Sequence, residues 1–183
     1  EGQGVPTFAK ALGASEVQIL DLGNCKLGDD FASGLAEGTL IKGDKLVNLR
    51  LAACNIGDDG ACKLAKALES VGMMSSLKTL DLSYNRIGDK GACALAAMLI
   101  SEGVQSSLPL QALELEGNLI SDVGGLALAR AAKGALVMSR LNISLNNTTD
   151  ATLLALAEAL RFNTGTLKEV AAAGARASED AAI

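Results

Sequence analysis

The chain has 183 residues, a net charge of -5 and no histidine. The lack of histidine removes the commonest general base and every Ser–His or Cys–His nucleophile, and an acidic chain without a basic run suits neither nucleic acid nor an anionic membrane. Apolar residues make up 49% and aromatics only 2%, so a core has to be built from Leu, Ala, Val and Ile, and no apolar run reaches the roughly 18 residues of a membrane span.

Residues 1–16 carry Phe8-Ala9-Lys10-Ala11-Leu12, a pattern that returns at Leu64-Ala65-Lys66-Ala67-Leu68. They are expected to form a capping helix left from a truncated repeat. The first residue is Glu1 rather than Met, which reads as a fragment or a processed product. Five repeats are expected over 17–166, starting near residues 17, 46, 77, 110 and 138. The first runs from Val17 through Leu20, Leu22, Cys25, Leu27, Gly28 and Asp29, with Phe31 where later copies have glycine. The second and third show the unit most clearly. LVNLRLAACNIGDDGACKLAKAL, from Leu46, and LKTLDLSYNRIGDKGACALAAML, from Leu77, match at a fixed offset. Self-similarity at this period marks a stacked repeat.

Each unit has the same local logic. In L-x-x-L-x-L, Leu49 and Leu51 alternate with polar or small residues, the period of a strand with one buried face. Cys54 or Asn85 follows where the chain leaves the strand. A buried Asn amide there can satisfy loop backbone groups that lack a ladder partner, whereas Cys offers only a weak S–H donor. Then comes I-G-D-x-G, with Asp58 and Asp89 expected as helix N-caps. Ala61, Leu64, Ala65 and Leu68 follow at the spacing of one helical face. Repeat four holds the pattern with Leu113, Leu115, Asn118, Ile120, Asp122 and Leu128, after a loop from Ser101 to Pro109. Repeat five holds it with Leu141, Ile143, Asn146, Asp150, Leu156 and Leu160. A degenerate sixth strand is expected near Leu167 and Val170, within a last segment, 167–183, whose Ala-rich end lacks the leucine ladder.

This pattern of Leu46, Leu49, Leu51, Cys54 and Ile56, repeated as Leu77, Leu80, Leu82, Asn85 and Ile87, resembles the leucine-rich repeat in its ribonuclease-inhibitor-like subclass. The fold it implies is an α/β solenoid curved into an arc, with parallel strands on the concave face and helices on the convex face. Helices are thicker than strands (roughly 10 Å against about 4.8 Å between neighbours), which bends the stack.

The candidate chemistry is sparse. Cys25, Cys54, Cys62 and Cys93 form no C-x-x-C pair, and without histidine they do not make a zinc site. Free thiols are expected, and with them an intracellular, reducing compartment such as the cytoplasm. Asp29, Asp58, Asp89, Asp122 and Asp150 share one cap position, which explains them without a metal. The glycines recur with the turn and do not form a phosphate loop, so neither cofactor nor metal is expected. The sequons at Asn142, Asn146 and Asn147 read as chance.

The remaining candidate is the concave face. The residue between the two strand leucines points out of the core, giving Asp21, Arg50, Asp81, Glu114 and Asn142 down the stack, with Glu116 in the next column. These six are the expected partner-binding residues, and Asp81, Glu114 and Glu116 would form an acidic patch for a basic segment of another protein. The resemblance implies a non-catalytic protein-interaction module, or a scaffold subunit of a larger assembly. Two narrower alternatives share these repeats. ISDVGGLALARAAKGALVMSRLNI and LAEALRFNTGTLKEV resemble the tropomodulin repeat domain, which implies actin-filament capping. The Ran GTPase activator is similar in its kind of repeat, although none of its catalytic residues is matched here.

Overall fold

The computed structural model describes residues 4–40, 45–72, 75–100 and 108–175. The loop from Ser101 as far as residue 107 and the Ala-rich tail from residue 176 lie outside them. Within them, helices and short strands alternate. The helices are α1 (Gly4–Gly13), α2 (Gly28–Leu35), α3 (Asp58–Val71), α4 (Asp89–Leu99), α5 (Asp122–Gly134) and α6 (Asp150–Phe162). The strands are β1 (Ile19–Asp21), β2 (Asn48–Arg50), β3 (Thr79–Asp81), β4 (Ala112–Glu114), β5 (Arg140–Asn142) and β6 (Glu169–Ala171). A π-helical turn, Ala36–Leu40, extends α2.

The six strands form one parallel sheet in sequence order. Its register aligns Leu20, Leu49, Leu80, Leu113, Leu141 and Val170 in a single column. The fold is therefore an α/β leucine-rich-repeat solenoid, with the sheet on the concave face. Leu49, Leu51, Leu80, Leu82, Leu113 and Leu115 are fully buried behind the sheet. They meet the inner helical face, where Ala61, Leu64, Ala65 and Leu68 are also buried. One repeat cannot cover this face alone, so neighbours supply each other's core.

Two ladders of polar groups join the repeats. Asn85 Oδ1 accepts from the backbone N–H groups of Cys54 (3.0 Å) and Ile56 (2.9 Å) in the preceding repeat. Its amide nitrogen donates to the carbonyls of Leu51 and Leu82. At the next two junctions Asn118 accepts from Ile87 N–H and donates to the Leu82 carbonyl, and Asn146 accepts from Ile120 N–H and donates to the Leu115 carbonyl. Cys54, at this position one repeat earlier, donates its thiol to the Leu22 carbonyl. Burial pushes the Cys54 thiol up.

The aspartate ladder corrects an expectation. The aspartates do not cap their own helices. The N-cap positions belong to Gly57, Gly88, Ser121 and Thr149, with each aspartate one residue inside the helix. From there, and for Asp29 from the second residue of α2, the carboxylates of Asp29, Asp58, Asp89 and Asp122 reach the N-terminus of the next helix. Asp29 Oδ1 accepts from the N–H groups of Gly57 (2.7 Å) and Gly60 (3.0 Å). Asp58 takes Gly88 and Gly91, and Asp89 takes Ser121 and Gly124. Asp122 accepts from Thr149 N–H (2.8 Å) and Thr152 Oγ1 (2.5 Å). The physical reason is that stacked helix N-termini lie beside each other and leave N–H groups free: Gly57 and Gly88 have no side chain with which to cap, and the Ser121 and Thr149 side chains each accept from one N–H, that of Val123 and of Ala151. Glycine at position 91 leaves room for this reach, because a Cβ there would lie 2.8 Å from Asp58 Oδ1.

The two ends differ. Phe31 fills the position of the later glycines and packs on Phe8 of α1, ring centroids 6.0 Å apart. At the other end, Leu160 occupies the position of buried Leu68 and Ala132 but is 42% exposed, because no described helix follows α6.

Candidate protein-binding face

The alternation of each strand sends every second side chain into the concavity, and the parallel register turns those residues into columns. One column runs Asp21, Arg50, Asp81, Glu114, Asn142 and Ala171. Two residues earlier on each strand lies Asn48, Thr79, Ala112, Arg140 and Glu169, beginning with Ile19. Two residues later, Gly23, Ala52, Ser83, Glu116, Ser144 and Ala173 leave the sheet. The six sequence-derived residues thus share one face.

Their charges are largely satisfied within the chain. Arg50 lies 3.3 Å from Asp21 Oδ2 and 3.3 Å from Asp81 Oδ2. Arg140 repeats the motif further along, with Nε 2.5 Å from Glu114 Oε1 and Nη1 3.3 Å from Glu169 Oε2. The Nε–Glu114 contact is ionic, with no hydrogen-bond alignment. Asp81 Oδ1 also accepts from Ser83 N–H, Asp21 Oδ1 from Gly23 N–H and Asn142 Oδ1 from Ser144 N–H. One short turn bond therefore recurs in three repeats. Asn142 is only 6% exposed. Exposed ion pairs of this kind contribute about 0–1 kcal/mol. Their main effect is to fix the shape of the surface.

Glu116 is placed differently. It has no cationic partner among the described residues. One oxygen accepts from the Tyr84 hydroxyl and the other from Asn142 Nδ2 at 3.2 Å. Tyr84 sits at the concave rim, where the chain turns out of the sheet. The hydrogen bond to Glu116, then burial and the Glu116 charge, hold the Tyr84 phenol above its usual range.

That rim has an unusual backbone. Asn24, Ala53, Tyr84, Gly117, Leu145 and Gly174 occupy the same turn, all with φ between 55° and 80°. Glycine and asparagine tolerate this left-handed conformation. A bulky residue with positive φ is a true outlier. Tyr84 (54% exposed) and Leu145 (53% exposed) nevertheless hold it while showing half their surface to solvent.

Sequence reasoning missed Arg140, Glu169, Tyr84 and Leu145. Counting back two residues from the Glu114 column would have found the first pair. The second pair had a fainter signal, two large side chains in a turn column otherwise filled by small or Asn residues. Of the three sequons, Asn142 and Asn146 are buried and hydrogen-bonded, whereas Asn147 is exposed.

A leucine-rich-repeat family profile matches residues 45–65, 74–96 and 106–129. No curated protein sequence matches the chain. Among solved structures, the chain is similar to the "Leiomodin-1 Actin-Binding Site 2" structure at 15% identity and a TM-score of 0.64, over 87% of each chain. It is also similar to the C-terminal domain of tropomodulin from Caenorhabditis elegans at 15% identity and a TM-score of 0.60, covering 90% of this chain and 93% of that one. At such identities the likeness shows the fold. No helix among the described residues is long and apolar enough to cross a membrane.

Proposed function

The chain being a leucine-rich-repeat protein, we propose that it is a non-catalytic interaction module that binds another protein through its concave face. The observation that carries this reading is the fixed charge pattern of that face. Arg50 and Arg140 are each clamped between two carboxylates on neighbouring strands. The side chains are thus pre-organised, which lowers the ordering cost of binding. Asp21, Arg50, Asp81, Glu114, Glu116 and Asn142 belong to this surface. Four free cysteines, one of them buried, support a reducing compartment for the work.

Reversal of the acidic residues to lysine would set like charges beside Arg50 and Arg140, so isosteric neutralisation is the cleaner test. A triple variant, Asp81→Asn, Glu114→Gln and Glu116→Gln, should keep the wild-type circular dichroism and lose the partner recovered from native extract. Equal recovery by both proteins across a salt series would sink the reading.

A second reading, an actin-binding domain, is supported by the structural likeness to the leiomodin-1 segment, which is titled for its actin-binding site. Co-sedimentation with purified actin filaments and protection of filaments from depolymerisation test it directly. Neither effect at saturating protein would leave only the broader reading.

A further inference from the structure

We propose that the rim formed by Tyr84, Glu116 and Leu145 reads a short extended segment of the partner that carries an arginine or lysine and, three residues on, an aliphatic side chain. The proposal rests on the concave-face reading and names the chemistry recognised there.

Backbone strain marks the two large side chains of the rim. Tyr84 at φ 56° and Leu145 at φ 55° sit where Gly117 and Gly174 show that the fold accepts glycine. A left-handed conformation costs a bulky L-residue free energy. The packing of these two side chains does not offset that cost by burial, since both are more than half exposed. The neighbouring turn instead makes room for them. A Cβ on Gly117 would stand 2.6 Å from Tyr84 Cδ1, and one on Gly174 would stand 3.1 Å from Leu145 Cδ2. The Tyr84 ring therefore lies along the rim over Gly117, more than half exposed, and Leu145 lies over Gly174.

The chemistry beside the ring selects a cation. The Tyr84 hydroxyl and the Asn142 amide each take one lone pair of Glu116, one on each oxygen. Each oxygen keeps a lone pair for a further donor. The clamped carboxylates of Asp21, Asp81, Glu114 and Glu169 already have arginines, so among the described residues Glu116 is the carboxylate of this face with charge left to offer. A guanidinium pairing with Glu116 would stack on the adjacent Tyr84 ring, and carboxylate and ring both favour it.

Spacing selects the second contact. Tyr84 and Leu145 are two strands apart, about 10 Å at the usual strand separation. An extended polyproline-II-like segment presents the same side every third residue, about 9 Å. A basic side chain on Tyr84 and Glu116 thus places the residue three positions on over Leu145.

The test uses Tyr84 itself as reporter, because the chain has one tyrosine and no tryptophan. The probe is a capped Ala-rich octapeptide with Arg and Leu three positions apart. The expected result is a saturable change in tyrosine fluorescence, weakened about tenfold or more when Arg is replaced by citrulline or when the protein carries Glu116→Gln. By calorimetry, Tyr84→Gly should lose the peptide while melting no lower than wild type. Peptide binding that survives Tyr84→Gly, or no saturable binding by the wild type, overturns the proposal. Loss of binding in an Arg50→Gln, Asp81→Asn variant with Tyr84→Gly unaffected would overturn the rim and leave the concave face standing. Insensitivity to both variants would overturn both.

Discussion

At the scale of single residues, two ionisations report whether the polar contacts operate in solution. Tyr84 is the single phenol of the chain, so phenolate absorbance follows it alone. Its hydrogen bond to Glu116, with burial and the Glu116 charge acting in the same direction, holds its pKa above the ordinary 10.0. A raised folded value means that the stabilisation is present below the unfolded value and lost as pH rises through the folded one. Glu116→Gln should bring the titration midpoint down, and an unmoved midpoint would mean that the contact is absent. Asp89 is the acidic counterpart. Burial pushes its carboxyl up, but bonds from Ser121 Oγ and from the Gly124 and Ser121 N–H groups outweigh this and hold it below its usual range. Its contribution is present above the unfolded pKa and lost as pH falls through the folded one. Asp89→Asn should lower the urea midpoint at neutral pH and flatten its decline in acid. An acid limb as steep as wild type would count against the inter-repeat cap.

At the scale of elements, the ladders explain why the helices and strands hold a common register. Asn85→Ala removes the acceptor for Cys54 and Ile56 N–H. Two buried donors left unsatisfied should cost roughly 2–6 kcal/mol, measured as a shift in denaturant midpoint. Asn85→Cys copies the residue that repeat two already uses at Cys54, yet supplies no comparable acceptor, so it should rescue little. A loss below about 0.5 kcal/mol would place Asn85 outside the ladder. Much of this level was legible in the sequence, because burial has a period. The alternation at Leu49 and Leu51 and the helical spacing of Ala61, Leu64, Ala65 and Leu68 state which faces are inside. The Asn position could be assigned because an amide can donate and accept at once. The aspartate ladder was only half legible. Spacing shows that Asp58 stands near a helix start, but not that its carboxylate serves Gly88 and Gly91 one repeat later. That depends on which backbone lies beside it in the stack. The column that sets Arg50 between Asp21 and Asp81 was legible, whereas the contacts of the Arg50 and Arg140 clamps and the strain of the rim were not, since they depend on side-chain and backbone geometry between neighbouring turns of the solenoid.

At the scale of the whole molecule, repeats that share one core should unfold together. Leu82 is wholly buried behind the sheet. Leu82→Asp would bury an unpaired charge and should abolish the cooperative melt, whereas an unchanged melt would contradict the stacking. The same shared core makes the concave face a rigid platform, and the claim that this platform is where a partner binds can be tested by proximity. A photo-reactive phenylalanine analogue is placed at Thr79 on the concave strand β3 or, in a second protein, at Lys66 on the exposed side of α3. Both are irradiated in native extract and the adducts identified by mass spectrometry. The expected result is a discrete protein adduct from Thr79 that is absent from Lys66. An adduct from Lys66 alone, or the same adducts from both positions, would contradict binding through the concave face.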